Sequence, residues 1–412
     1  MMEDWKEYFL KDIVDELIMG QSPDSSSYND EGKGVAFVQG NADMQCGVPF
    51  IRMYTTEPKR FSESNDILLS VRAPVGDVFY NNYGQLAIGR GLSAIRIKNK
   101  DLRTLVFYLL HFDKKQFERL EQGTTFTEIG KKEVRNIRIA IPQNPNEQTA
   151  IANILSKVDE AISAVQGSIA AAERLKKSLM QNLLTGRMKP DGTLRKEDEF
   201  YMDEKFGKVP MGWKVKKLKD VCLNSGDYGA NASAIAFDET KPRFIRITDI
   251  DDYGQLLDDG KAGIDSNNYS KYLLEEDDFL FARTGDTVGK SLLYKKRMGA
   301  AVYAGYLIKF TFDKSKILPE YFDLIAKSEF FEAFKIAMKR VGAKPNINSR
   351  EYCSFKFLLP SDTKEQKEIY GKFANINKSQ KSKQQKIAVL ERLKKSLMQN
   401  LLTGRVRVKC II

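Results

Sequence analysis

From Ile151 the apolar positions fall at Ile151, Leu155, Val158, Ile162, Val165, Ile169 and Ala172, in alternating steps of four and three, and continue through Leu175, Leu179 and Leu183. This is a heptad seam, the pattern of a helix that buries one stripe against another helix. The frame returns at Ile369, Phe373, Ile376, Ile387, Leu390, Leu393, Leu397 and Leu401. Gln380 and Lys383 interrupt it midway, and polar seam residues of this kind fix register. Thr185-Gly186 and Thr403-Gly404 end the two stretches, because glycine reaches the left-handed C-cap conformation cheaply, and Pro190 forbids continuation of the first. At about 1.5 Å per residue a helix over 147–185 is about 58 Å long, which predicts a partner helix. Antiparallel pairing with the other copy in the same chain would place one globular head at each end of a rod. Pairing between molecules is the competing arrangement.

Outside the seams the pattern changes. Short apolar runs beginning at Asp66 (DILLSV), Leu92 (LSAIRI), Arg135 (RNIRIAIP), Arg243 (RFIRITDI) and Leu307 (LIKFTF) predict strands, while 102–120 and 320–340 predict helices. The expected fold class is therefore α+β: two mixed heads separated by two long antiparallel coiled-coil helices. The boundaries are a first head over 1–145, a spacer helix over 146–187, an exposed charged linker over 188–208, a second head over 209–363, a second helix over 364–405 and a tail over 406–412.

The two halves are copies. ERLKKSLMQNLLTGR occupies 173–187 and recurs unchanged at 391–405, fifteen identities that chance does not produce. Weaker echoes follow in the same order: WKEYFLKDI at Trp5 and WKVKKLKDV at Trp213, prolines closing IAIP at Pro142 and FLLP at Pro360, and Glu147-Gln148 against Glu365-Gln366. In between only traces survive, Val75-Gly76 against Val288-Gly289 and Gly89 against Gly305. So long a period lies outside the range of about 20–50 residues of solenoids and propellers. It marks a duplicated head-plus-helix unit with pseudo-two-fold symmetry, whose shared ends suit identical partners and whose divergent middles suit different ones.

Composition adds a partner class. With 412 residues, 66 Lys and Arg, 55 Asp and Glu and a net charge of +11, the chain attracts polyanions, nucleic acid or an anionic membrane face. The opening MMEDWKEYFLKDI lacks a basic start and apolar core, and no run approaches the roughly 20 apolar residues of a membrane span, so a cytoplasmic protein is expected. Cys46, Cys222, Cys353 and Cys410 are too scattered for local zinc-ligand spacing and read as reduced, buried thiols. No metal site is expected.

Motifs for catalysis are weak. Gly285 to Ser291 has three residues between its glycines where the nucleotide cradle needs four, which leaves a turn between strands or a phosphate contact through Arg283 or Lys290. Asp191, Asp203, Glu204 and Lys205 imitate a metal-dependent nuclease signature but fall in the linker, without the rigid scaffold that shared metal ligands need. His111 is the one histidine and reads as a core or edge residue of an apolar helix. There is no Pro-Pro pair for an amine methyltransferase loop. No catalytic residue is assigned.

The order head, helix, head, helix, with Trp5-Lys6 opening the first head, Pro210-Met211-Gly212-Trp213 opening the second, and Glu147-Gln148 leading to LKKSLMQNLLTGR, resembles the DNA specificity subunits of Type I restriction-modification systems. The resemblance covers nearly the whole chain. It implies two target-recognition domains that each read half of a bipartite double-stranded DNA site. It also implies a helix pair that sets the unread gap and docks two methyltransferase subunits, and restriction subunits that join the complex. S-adenosylmethionine, ATP and Mg would then bind the partners, which methylate adenine N6 and cut DNA, and this chain would need no cofactor. A linker nuclease and a coiled-coil scaffold without sequence preference are the rival readings.

Readers of base edges use Arg, Lys, Asn, Gln and Thr. The candidates for DNA contact are Arg72, Arg90, Thr124, Thr125, Lys131 and Lys132 in the first head. In the second they are Arg246, Thr248, Arg283, Lys290, Lys344, Asn346 and Asn348. Structural salt bridges compete for each of them. Arg174, Lys176 and Lys177 on the first long helix read as a solvated or partner-facing stripe.

Overall fold

The computed structural model describes residues 4–45, 47–119, 128–266, 268–338 and 345–408. The chain forms two compact units, one of Met1–Gly167 with Lys383–Ile412 and one of Ser168–Ser382, so each unit holds one head and a stretch of both long helices.

The shared ends of the two sequence halves build the same tie in each unit. In the first, Trp5–Phe9 pairs antiparallel with Arg138–Pro142, Trp5 opposite Pro142. In the second, Trp213–Lys217 pairs with Lys356–Pro360, Trp213 opposite Pro360. The glutamine at each helix start secures the tie: Gln148 Nε2 donates to Pro142 O (2.6 Å) and Gln366 Nε2 donates to Pro360 O (3.0 Å). Matching sequence at Trp-Lys and Glu-Gln is thus matching backbone closure, where a head hands over to a helix.

Between the ties the first unit carries an antiparallel sheet ordered Val78–Tyr80, Ile67–Ser70, Leu92–Ile97, Val14–Met19. The expected runs DILLSV and LSAIRI are its two central strands, and Ile67, Leu69 and Ile95 pack with Leu105, Val106 and Leu109 of the helix Arg103–Phe112. The second unit centres on a sheet ordered Asp227–Tyr228, Leu307–Phe310, Phe279–Ala282, Ser291–Leu293. Phe279, Phe281, Phe310, Phe322, Phe331 and Tyr352 fill its interior.

Two single helices expected from apolar periodicity are each broken in two. The first splits into Arg103–Phe112 and Lys114–Glu118 at Asp113, whose carbonyl and carboxylate accept from Gln116 N and Nε2 and start a new turn. The second splits into Pro319–Ile325 and Glu329–Met338 around Ser328, whose hydroxyl donates to Ile325 O (2.7 Å) while its carbonyl accepts from Phe331 N and Glu332 N. Small polar residues whose local hydrogen bonds compete with the helix ladder punctuate helices in this way.

The segment expected as a plain exposed linker is structured. Phe200–Asp203 and Gly207–Pro210 form a hairpin, and Val209 is fully buried against the core of the second unit with Met188, Tyr201 and Phe206 packed beside it. Its apolar residues were hidden among charges.

The long helices span Pro145–Leu184 and Thr363–Leu401. Gly186 (φ 68°) and Gly404 (φ 64°) adopt the left-handed cap that the sequence requires there. Within the first unit the helices run antiparallel, with Glu147 bonded to Arg407 and Asp159 to Lys394 (2.7 Å). Within the second, Lys176 Nζ donates to Asn377 Oδ1 (2.8 Å) and Glu365 holds Arg195. Ile151, Leu155, Val158, Leu183, Ile369, Phe373 and Leu401 are buried, while Ile162, Ile169, Leu179, Ile376, Ile387, Leu390 and Leu397 are half-buried. Leu175 (53% exposed) and Leu393 (45%) depart from the heptad reading and face outward. Leu184, Met398 and Leu402, which the seam did not include, are buried instead, because near their ends the helices pack on a head as well as on each other.

Candidate nucleic-acid interface

Each head builds the same pair of adjoining loops from unlike residues. In the first, the strand Ile67–Ser70 leads into Arg72, which pairs in ladder fashion with Glu128, and Val71 O accepts from Ile129 N (3.0 Å). In the second, Phe279–Ala282 leads into Arg283 and Thr284. Thr284 pairs with Asn346, Arg283 O accepts from Ile347 N (2.9 Å), and Pro345 O accepts from Gly285 N (2.9 Å). A short helix follows each second loop, Lys131–Arg135 in one head and Ser349–Cys353 in the other. The surviving Val-Gly echo lies here too. Gly76 and Gly289 both have positive φ, and a Cβ at Gly289 would stand 2.2 Å from the Lys335 Cδ. Only glycine fits such a backbone.

The candidates divide by what already holds them. Arg72 is ion-paired to Glu128 at 2.8 Å. Arg90 is exposed between two strands, its backbone N donating to Ser22 Oγ (3.2 Å). Lys131 and Lys132 are exposed and, with Lys11, Arg135 and Asn136, line a shallow basic concavity of about 430 Å³. The last three residues carried no sequence signal, because only the fold brings Lys11 to them.

In the second head Arg246 is forked onto Asp249 (Nη2 to Oδ1, 2.7 Å) and donates to Gly260 O (2.8 Å), an arrangement that stabilises its own turn. Asn348 accepts from Glu351 N (3.0 Å) and caps the helix Ser349–Cys353. Lys290 pairs with Asp252 at 2.7 Å. Thr248 and Asn346 are exposed. Arg283 lies over the ring of Tyr228, 4.8 Å from its centroid. Thr124, Thr125 and Lys344 lie outside the described residues.

The other motifs resolve simply. Gly285 to Ser291 is the connection between antiparallel strands Phe279–Ala282 and Ser291–Leu293. Asp191 accepts from the Thr193 hydroxyl and amide, and Asp203 from the amides of Lys205 and Phe206. These bonds hold both carboxyls below their usual pKa range, and each acid serves its own turn. The nuclease reading therefore lacks a site, and among the described residues no cluster of His, Cys, Asp and Glu could hold a metal ion. His111 is exposed and stacks on Phe107. Cys222 and Cys353 are free thiols, and burial pushes both up from the usual thiol pKa. Lys176 is half-buried, whereas Arg174 and Lys177 are exposed. No described helix is long and apolar enough to cross a membrane.

Two heads with the same backbone frame and unlike side chains suit a protein that meets a partner in two parts, and comparison with known proteins gives the class. Residues 2–174 and 210–392 each match the Type I restriction modification DNA specificity domain, so the chain belongs to that family and carries two target-recognition domains. It is 42% identical over 189 residues to a putative Type I restriction enzyme MjaX specificity subunit of Methanocaldococcus jannaschii, a match covering 45% of this chain and 44% of that one. It is 25% identical over 417 residues to the MjaVIII specificity subunit of the same organism, covering 99% and 94%. In fold it resembles the S subunit of a Type I system from M. genitalium (TM-score 0.60, 16% identity, 96% of both chains). A chain from a study of Type I complex assembly and conformational transition gives a TM-score of 0.54 at 15% identity, covering 98% and 99%.

Proposed function

We propose that this specificity subunit selects, without catalysis of its own, the adenines that partner methyltransferase subunits modify. Each head reads one half of a bipartite target in the major groove, and the long helices set the unread gap and dock two methyltransferases. S-adenosylmethionine is held by those partners, and ATP and Mg by restriction subunits. The target adenines are flipped out of the duplex into the methyltransferases, so the selecting chain directs chemistry that occurs elsewhere. The complex works on DNA in the cytoplasm.

One observation carries this reading: the same two-loop frame occurs in both heads, yet the residues on it differ, Arg72 with Glu128 in one and Thr284 with Asn346 in the other. Equal frames with unequal side chains suit two readers of unequal sequences. The purified chain is expected neither to cut nor to methylate DNA. With its methyltransferase subunit and S-adenosylmethionine, labelled methyl groups should appear on adenines of one bipartite sequence only. Cleavage or methylation by the chain alone would contradict the proposal.

A further inference from the structure

The second head's polar residues are mostly engaged. Arg246 holds Asp249, Lys290 holds Asp252, and Asn348 caps a helix. Arg283 differs from them. Its guanidinium lies on Tyr228, its Nε is closed off from solvent without a hydrogen-bond partner, and no described carboxylate is within ion-pairing distance. The backbone beneath it is fixed from several sides. Arg283 N donates to Tyr306 O (3.0 Å), Arg283 O accepts from Ile347 N (2.9 Å), and the preceding Ala282 O accepts from the buried Tyr352 hydroxyl (2.7 Å). Tyr228 is anchored as well, its hydroxyl accepting from Ser349 N (3.2 Å), and it remains 42% exposed.

A planar cation on an aromatic platform loses little freedom on binding, and with Nε enclosed its two Nη groups are the donors left to meet a ligand. In the major groove, guanine presents two adjacent acceptors, O6 and N7, that match a guanidinium fork. We propose that Arg283 is a specificity-determining residue of the second head and reads a guanine in its half-site, with Tyr228 as its positioning residue. This rests on the reading of the chain as a DNA-specificity subunit. In the first head the same register puts Val71, whose carbonyl accepts from Ile129 N, where Arg283 stands, while Arg72 matches Thr284 and is paired to Glu128, so the two heads do not present the same donor.

The test maps methylated adenines for the complex containing wild-type chain, Arg283→Ala or Tyr228→Leu. Arg283→Ala should make one G·C pair of the second half-site degenerate, lowering discrimination there by about ten- to a hundred-fold, with the first half-site unchanged. Tyr228→Leu should relax the same position. A DNA-side test avoids any folding defect: 7-deazaguanine, which lacks the N7 acceptor, should impair methylation by the wild-type complex at one guanine of that half-site. A uniform loss with every target letter retained would mean a phosphate contact and overturn the guanine assignment, as would indifference to 7-deazaguanine at every position. Wild-type chain that directs no site-specific methylation would overturn the underlying reading instead, and this inference with it.

Discussion

Replacing Phe281 with alanine is expected to destabilise the Ser168–Ser382 unit by about 3–5 kcal/mol, the range for removing a fully buried aromatic side chain. Phe281 is 0% exposed and lies parallel to Tyr352, ring centroids 4.6 Å apart, with Phe331 at 4.9 Å and the edge of Phe279 at 4.9 Å. Neighbouring rings of this size cannot collapse to fill the space. The effect reaches the segment that carries Arg283 because Tyr352, left without its nearest stacking partner, also bonds the carbonyl of Ala282 beside Arg283. Denaturant unfolding checks the energy, and hydrogen exchange in 279–283 checks the coupling. A loss below about 1 kcal/mol, or unchanged protection there, would show that this core does not support the loops.

Arg195→Ala is the second large effect, expected to cost about 3 kcal/mol and to lower the unit's melting temperature by roughly 6–12 °C. The Arg195 side chain is only 8% exposed. It donates to Gly186 O (2.7 Å), stacks over Trp213 at 5.4 Å and pairs with Glu365, whose other oxygen accepts from Trp213 Nε1 (3.0 Å). One side chain thus ties the end of the first long helix to the start of the second. Without it, Glu365 is left a partly buried charge. Arg195→Lys should recover little, since an ammonium cannot reproduce the fork. A melting point within about 2 °C of wild type would show that the tie is dispensable.

This clasp also shows how far the sequence could be read. Glu147 and Glu365 stand out as repeat partners, and both turn out to be gripped by arginines, Arg407 and Arg195. The arginines themselves were not visible, because they follow the repeated helix end at different distances, and their partners are remote in sequence. Trp5 and Trp213 also match in sequence, yet Trp213 bonds Glu365 while the buried Trp5 Nε1 has no described partner. Duplication copied the backbone more faithfully than the side-chain bonds.

The helices, their glycine caps and the central strands were legible because each follows from local periodicity or a backbone need. The breaks at Asp113 and Ser328 depend on local polar competition that apolar periodicity ignores. The hairpin after Pro190 depends on a surface supplied by distant residues. Among the loop candidates, residue type alone could not separate Arg246, engaged by an acid three positions along, from Arg283, which stacks on a tyrosine of another strand.

The most direct measurement replaces residues 209–363 with the second head of a family member that reads different letters, then maps methylated adenines across a genome. The account predicts that one half of the bipartite target changes to the donor's letters while the other half stays as it was. A target that changes in both halves, or in neither, would contradict two heads that read independently.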